Sequence, residues 1–87
     1  GVIGIVASRI VEEFYRPALL LSIDSETRVA RGSGRSIRGL HLSEALANDS
    51  RFLLSFGGHA AAAGLSIHSE NIADFREAFQ RTAAGLL

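Results

Sequence analysis

The stretch Ala18-Leu19-Leu20-Leu21-Ser22-Ile23-Asp24-Ser25-Glu26-Thr27-Arg28-Val29-Ala30-Arg31-Gly32 decides the fold of this chain. Its first six residues form a short apolar run, which reads as a strand buried on both faces. Asp24-Ser25-Glu26-Thr27 is turn chemistry, and residues 28–32 return as an antiparallel partner strand.

On the N-terminal side, Ile3, Val6, Ile10 and Phe14 recur at intervals of three and four, with Arg9, Glu12 and Glu13 off that stripe. This spacing predicts an amphipathic helix over residues 2–15. Arg16-Pro17 ends it, because proline disfavours helix in the residue before it.

On the C-terminal side, Gly32-Ser33-Gly34-Arg35-Ser36 is expected to be irregular, since glycine weakens helix and strand alike. A short helix follows over residues 42–48, burying Leu42, Ala45 and Leu46. Phe52, Leu53, Leu54 and Phe56 lead into a glycine-histidine turn, and Gly64-Leu65-Ser66-Ile67 reads as a third strand. A last helix presents Ile72, Phe75, Phe79 and Leu86, capped by Ser69 or Asn71, with Glu77 and Arg81 paired at i,i+4. The fold class is therefore α/β: one domain over residues 1–87, with a small mixed or antiparallel sheet flanked by helices.

The chain has 87 residues, enough for one small domain that buries roughly 60% of its unfolded surface. No apolar run approaches the ~20 residues of a membrane span, and no basic segment precedes a hydrophobic stretch as in a signal peptide. Cysteine is absent, which excludes disulfides and thiolate metal sites and fits a reducing compartment. A cytoplasmic location is the expectation. Gly1 opens inside a hydrophobic pattern without an initiator methionine, which reads as a piece of a longer protein.

Net charge is zero, with nine basic and nine acidic residues. Every basic residue is arginine, and Arg28, Arg31, Arg35 and Arg38 follow one another with no acid between Thr27 and Ser43. The planar guanidinium suits bidentate phosphate contacts better than an ammonium does. On charge alone, phosphate binding and a merely solvated strand and loop both stay open.

Two glycine-rich segments stand out, Gly32-Ser33-Gly34-Arg35-Ser36 and Phe56-Gly57-Gly58-His59-Ala60-Ala61-Ala62-Ala63-Gly64. Both flank predicted strands and can lie side by side at one edge of the sheet. In the first, backbone N–H groups freed by glycine can form an anion nest, with Ser33, Ser36 and Arg35 as further donors. In the second, Gly57 and Gly58 permit a sharp bend or a close backbone approach, and His59 can donate to an anion or move a proton. Taken singly, each segment also has a plain reading: a loop in one case, a structural hydrogen bonder in the other. His41 and His68 sit at predicted helix starts as exposed cap-region residues. No histidine spacing suits a metal, and no nucleophile elbow, Walker loop or dinucleotide fingerprint is present.

Gly-Val-Ile-Gly-Ile-Val-Ala-Ser-Arg (1–9), Gly-Ser-Gly-Arg-Ser (32–36) and residues 56–64, in that order, resemble the DHH-associated domain of RecJ-type single-strand-specific DNA exonucleases. The resemblance implies a domain C-terminal to a catalytic DHH domain that lies outside this sequence. That domain would hold two divalent ions, Mn²⁺ or Mg²⁺, for 5′ to 3′ hydrolysis of single-stranded DNA in repair and recombination. No metal site is implied within residues 1–87. The resemblance further implies that Ser33, Gly34, Arg35 and Ser36 hold a DNA phosphate near the 5′ end. Gly57 and Gly58 would let the backbone approach, while His59 reaches the scissile or adjacent phosphate and assists catalysis. Partners are then single-stranded DNA and the DHH domain of the same chain, with no membrane. Related phosphodiesterases that cleave short oligonucleotides or cyclic dinucleotides carry a longer glycine run and a bulkier residue before Arg-Ser. Two glycines after Phe56, and Gly34 before Arg35, favour the exonuclease; a purely structural domain is the third reading.

Overall fold

The computed structural model describes residues 3–9 and 17–86. Five strands form one sheet: β1 (Ile3–Arg9), β2 (Ala18–Asp24), β3 (Val29–Arg35), β4 (Ser55–Gly58) and β5 (Ala62–His68). Their order is β1-β2-β3-β5-β4, and every neighbouring pair is antiparallel. Among the described residues, two α-helices, α1 (Leu42–Asn48) and α2 (Ile72–Leu86), complete the α/β fold.

The expected strand-turn-strand unit forms. The Asp24 carboxylate accepts from the Glu26 and Thr27 amides at 2.9 and 3.4 Å, an Asx turn that reverses the chain. Arg28 then takes φ 59° and donates its amide to the Asp24 carbonyl at 2.8 Å. Beyond the turn β3 continues to Arg35, so residues 32–35 are not irregular as expected. They lie mid-sheet, paired with β2 on one side and β5 on the other. Their amides belong to the ladder, which removes the anion nest.

Gly34 is required there by close approach rather than by a turn. A Cβ on it would stand 2.2 Å from Leu19 Cδ2 and 3.1 Å from Leu42 Cδ2, where α1 seats on the sheet.

Burial shows which face that is. Leu19 and Leu21 of β2, Ala30 of β3 and Ala63, Leu65 and Ile67 of β5 are buried. They meet Leu42, Ala45 and Leu46 of α1 and Phe75, Phe79 and Ala83 of α2 in one cluster. Both helices therefore cover the same face. The expectation that residues 18–23 are buried on both faces is corrected accordingly: Leu20 points the other way and is 54% exposed. Alternation of this kind marks an antiparallel sheet with one covered face.

The helix expected over residues 2–15 is also corrected, since Ile3–Arg9 is a strand in register with all of β2. Only Ile3 and Val6 of the proposed stripe fall in that segment, while β-branched Ile3, Ile5 and Val6 favour extended backbone. Residue 2 and residues 10–15 of that proposed helix lie outside the described residues.

α1 buries the three residues expected of it, and α2 buries Phe75 and Phe79 with Ala78 and Ala83. Leu86, assigned to the buried stripe from sequence, is 51% exposed. The expected cap at Ser69 or Asn71 is replaced by a 3-10 turn, Ser69–Asn71, that runs directly into α2. The i,i+4 pair forms, with Arg81 donating to Glu77 at 3.1 Å.

Asp49, just past α1, is the one buried charged residue among those described, at 2% exposure. An acid at a helix C-terminus opposes the helix dipole, so its burial needs partners. The Thr82 hydroxyl donates to it at 2.7 Å, and Arg51 Nη1 lies 3.6 Å away. Asn48 also donates to Thr82 Oγ1 at 3.0 Å, so this polar cluster pins α1 to α2. Replacing Asp49 by alanine strands the buried end of that cluster and is expected to cost about 1–3 kcal/mol. Thermal unfolding measures this, and at roughly 4–8 °C per kcal/mol for so small a domain the shift is easily read. An unchanged midpoint would show that the helices are held by the apolar cluster alone.

Candidate nucleic-acid interface

Two glycine-rich segments far apart in sequence meet at one end of the sheet. Arg35 closes β3 and is in register with Ala62 of β5. The next amide, Ser36, donates to the Ala61 carbonyl at 2.8 Å. β4 and β5 are joined by a tight hairpin in which the His59 amide donates to the Ala62 carbonyl at 2.7 Å. Arg35 and His59 thus project from adjoining backbone, and both are exposed.

The glycine pair does not make the bend attributed to it. Gly57 is an ordinary strand residue in register with Gly64, and the reversal falls on residues 59–61. Gly58 alone carries the backbone constraint, with φ 152° and a hypothetical Cβ 2.4 Å from Ala63 Cα.

The hairpin is fixed from two sides. The His59 and Ala60 carbonyls accept from the Ser43 and Leu42 amides at 3.3 and 2.9 Å. These are amides of the first turn of α1, which would otherwise lack partners. The hairpin therefore caps the helix while Ser36 ties it to β3. His41 supplies a further cap, its Nδ1 accepting from the Glu44 amide at 3.3 Å, so its expected cap-region role holds. His68 is exposed at the end of β5, also as expected.

The donors differ in availability. Arg35 Nη1 donates to the Gly34 carbonyl at 3.1 Å and makes no ion pair among the described residues. The His59 ring has no hydrogen-bond partner among them. Ser36 Oγ, by contrast, donates to the Leu40 carbonyl at 2.9 Å, closing the loop that leads to α1. Ser33 is exposed on the face opposite the helices, in one row with Gly64 and Gly57. The seven residues singled out from sequence are therefore neighbours, but they do unequal work. Arg35, His59, Ser33 and Gly57 face solvent, whereas Gly34, Ser36 and Gly58 shape the backbone beneath them.

A hollow of about 420 Å³ adjoins this end of the sheet, lined by Ser36, Arg38, His41, Ala60 and Ala61 among others. The hollow of about 430 Å³ between α1 and α2 lies elsewhere and gathers Glu44 and Arg81 without any convergent set of donors. Among the described residues, no three histidine, aspartate or glutamate side chains come together as a metal site. No helix among them is long and apolar enough to cross a membrane.

Comparison with known proteins bears on this arrangement. A family model described as the DHHA1 domain matches residues 1–85. The single-stranded-DNA-specific exonuclease RecJ of Bacillus subtilis is 47% identical over all 87 residues, which span 11% of that protein. The RecJ of Haemophilus influenzae is 46% identical over 91 aligned residues, covering the whole chain and 16% of the relative. A crystal structure of RecJ from Thermus thermophilus in complex with Mg²⁺ superposes with a TM-score of 0.63 at 30% identity, over 66% of this chain and 9% of that one. A family match over residues 1–85, near-half identity and a shared fold agree: this chain belongs to the DHHA1 domain family, in the form carried by RecJ exonucleases.

Proposed function

We propose that the chain is the substrate-gripping domain of a single-stranded-DNA exonuclease of the RecJ type. The observation that carries this reading is the pairing of exposed Arg35 and His59 on adjoining backbone, on a fold shared with RecJ. Arg35 offers a planar, permanently charged fork to a phosphate near the 5′ end of the strand. His59, on a hairpin held by three backbone hydrogen bonds from α1 and Ser36, is pre-positioned to donate to the scissile or adjacent phosphate as charge develops. Ser33 and Gly57 present a hydroxyl and bare backbone beside them. Gly34, Ser36 and Gly58 act by holding this geometry.

Hydrolysis itself would take place on a DHH domain elsewhere in the protein, with Mn²⁺ or Mg²⁺ bound there. RecJ of Thermus thermophilus has been solved in complex with Mg²⁺ and, separately, with Mn²⁺. The described residues of this chain offer no cluster that fits either ion. Digestion from 5′ to 3′, service in DNA repair and recombination, and a cytoplasmic setting belong to the same reading.

The test is steady-state hydrolysis by the full-length protein with Mn²⁺. Long single strands are expected to be degraded far faster than dinucleotides, and His59→Ala is expected to lower kcat by about 10²-fold while changing KM much less. Preference for dinucleotides would favour a short-oligonucleotide phosphodiesterase. A His59→Ala enzyme with unaltered kcat would remove the histidine from the reaction.

A further inference from the structure

The face of the sheet that the helices leave uncovered carries a second cation, Arg31, which the site above does not use. Arg31 is exposed and has no ion pair among the described residues. It stands in register with Ser22 on β2 and Ser66 on β5, and Ser66 is bonded to Ser55 of β4. Hollows of about 380 and 330 Å³ lie on either side of it.

Arg31, Ser33 and Arg35 occupy alternate positions of β3 and so share this face. Alternate residues of a strand lie roughly 6.6 Å apart, a spacing comparable to that of consecutive phosphates in an extended single strand. Gly64 and Gly57 flank Ser33 across β5 and β4, so no side chain of those two strands stands in that row. The carboxylate described on this side, Asp24, is already engaged by the Glu26 and Thr27 amides. Among the described residues, two guanidiniums without an ion pair, set among hydroxyls and bare backbone, complement a polyanion, and they suit a protein surface less well.

We propose that this open face is a phosphate track, on which Arg31 holds the sugar–phosphate backbone of single-stranded nucleic acid about two phosphates beyond the one at Arg35. The proposal rests on the function proposed above and adds a second contact, reached only by longer strands. Leu20, exposed beside Ser33, gives the sugars an apolar surface to pass over.

The test is binding of fluorescent oligothymidylates of two to twelve nucleotides to the full-length protein without metal, followed by anisotropy at several salt concentrations. Arg31→Ala is expected to weaken the longer oligonucleotides about tenfold and to leave the dinucleotide unchanged. The salt slope for the longer ones should fall by about 0.7, the contribution of one single-strand phosphate. Arg31→Lys should restore most of that slope. Equal weakening of short and long oligonucleotides, or of neither, overturns the track. A lowered melting temperature of the free Arg31→Ala protein with unchanged affinity overturns it too, and would mark the face as a domain contact. Arg35→Ala run in parallel separates the two ideas: if it weakens every length while Arg31→Ala weakens none, the track fails and the grip stands.

Discussion

Replacing Gly58 by alanine is expected to disrupt the β4–β5 hairpin and, with it, the placement of His59. The residue holds φ 152°, a conformation that L side chains rarely adopt. Strain of this kind costs roughly 1–3 kcal/mol by itself. The new methyl would also stand 2.4 Å from Ala63 Cα and 2.5 Å from the Ala62 carbonyl oxygen. Both are backbone atoms of the neighbouring strand, so relief requires β4 and β5 to separate. The damage would spread because the same hairpin caps α1 through the His59 and Ala60 carbonyls and anchors Ser36 through Ala61. A lower unfolding midpoint together with lost single-strand binding is the expected result. Gly57→Ala is the control for folding alone, with an unchanged unfolding midpoint expected, since its Cβ would meet nothing within 4 Å. Equal tolerance of the two substitutions would contradict a hairpin that depends on Gly58.

Gly57 and Gly58 are indistinguishable in one dimension; only the pairing of Gly58 with Ala63 separates them. Other parts of the fold are legible without such pairing. The β2–β3 turn is one, because Asp24-Ser25-Glu26-Thr27 carries its own local hydrogen bonds. α1 and the body of α2 are others, because their apolar spacing matches the face they bury. β4 does not read as a strand because its four residues are all exposed and show no alternation. The second half of β3 is hidden for a different reason. Gly32 and Gly34 have weak strand propensity, but Leu19, Leu20 and Leu21 of β2 occupy the space that side chains there would need, so tertiary packing overrides local preference. Likewise, β1 mimics a helix because Ile10 and Phe14, outside the described residues, complete a helical spacing with Ile3 and Val6 in the sequence. At the site, the residue types are legible. What joins them, the Ser36 amide to the Ala61 carbonyl, is a long-range contact that no local pattern announces. Asp49 gives no signal either, since its partner Thr82 lies 33 residues away.

The second large effect is expected at Arg35. Its guanidinium is exposed, free of any carboxylate among the described residues, and held at the end of a central strand by the bond from Nη1 to the Gly34 carbonyl. A charge-assisted phosphate contact is worth enough that its loss lowers affinity roughly 10- to 100-fold. Because the side chain packs against nothing in the core, Arg35→Ala should leave the unfolding midpoint unchanged. Lysine at this position should recover only part of the loss, since it keeps the charge without the bidentate fork.

The direct test is therefore metal-free binding of single-stranded DNA to the full-length protein, wild type against Arg35→Ala, by fluorescence anisotropy across a salt series. A phosphate grip at Arg35 requires a loss of affinity of roughly tenfold or more at low salt, a shallower salt slope by about 0.7, and an unaltered melting temperature. Wild-type affinity and slope in the Arg35→Ala protein would contradict it, and would leave this end of the sheet without a role in holding the strand.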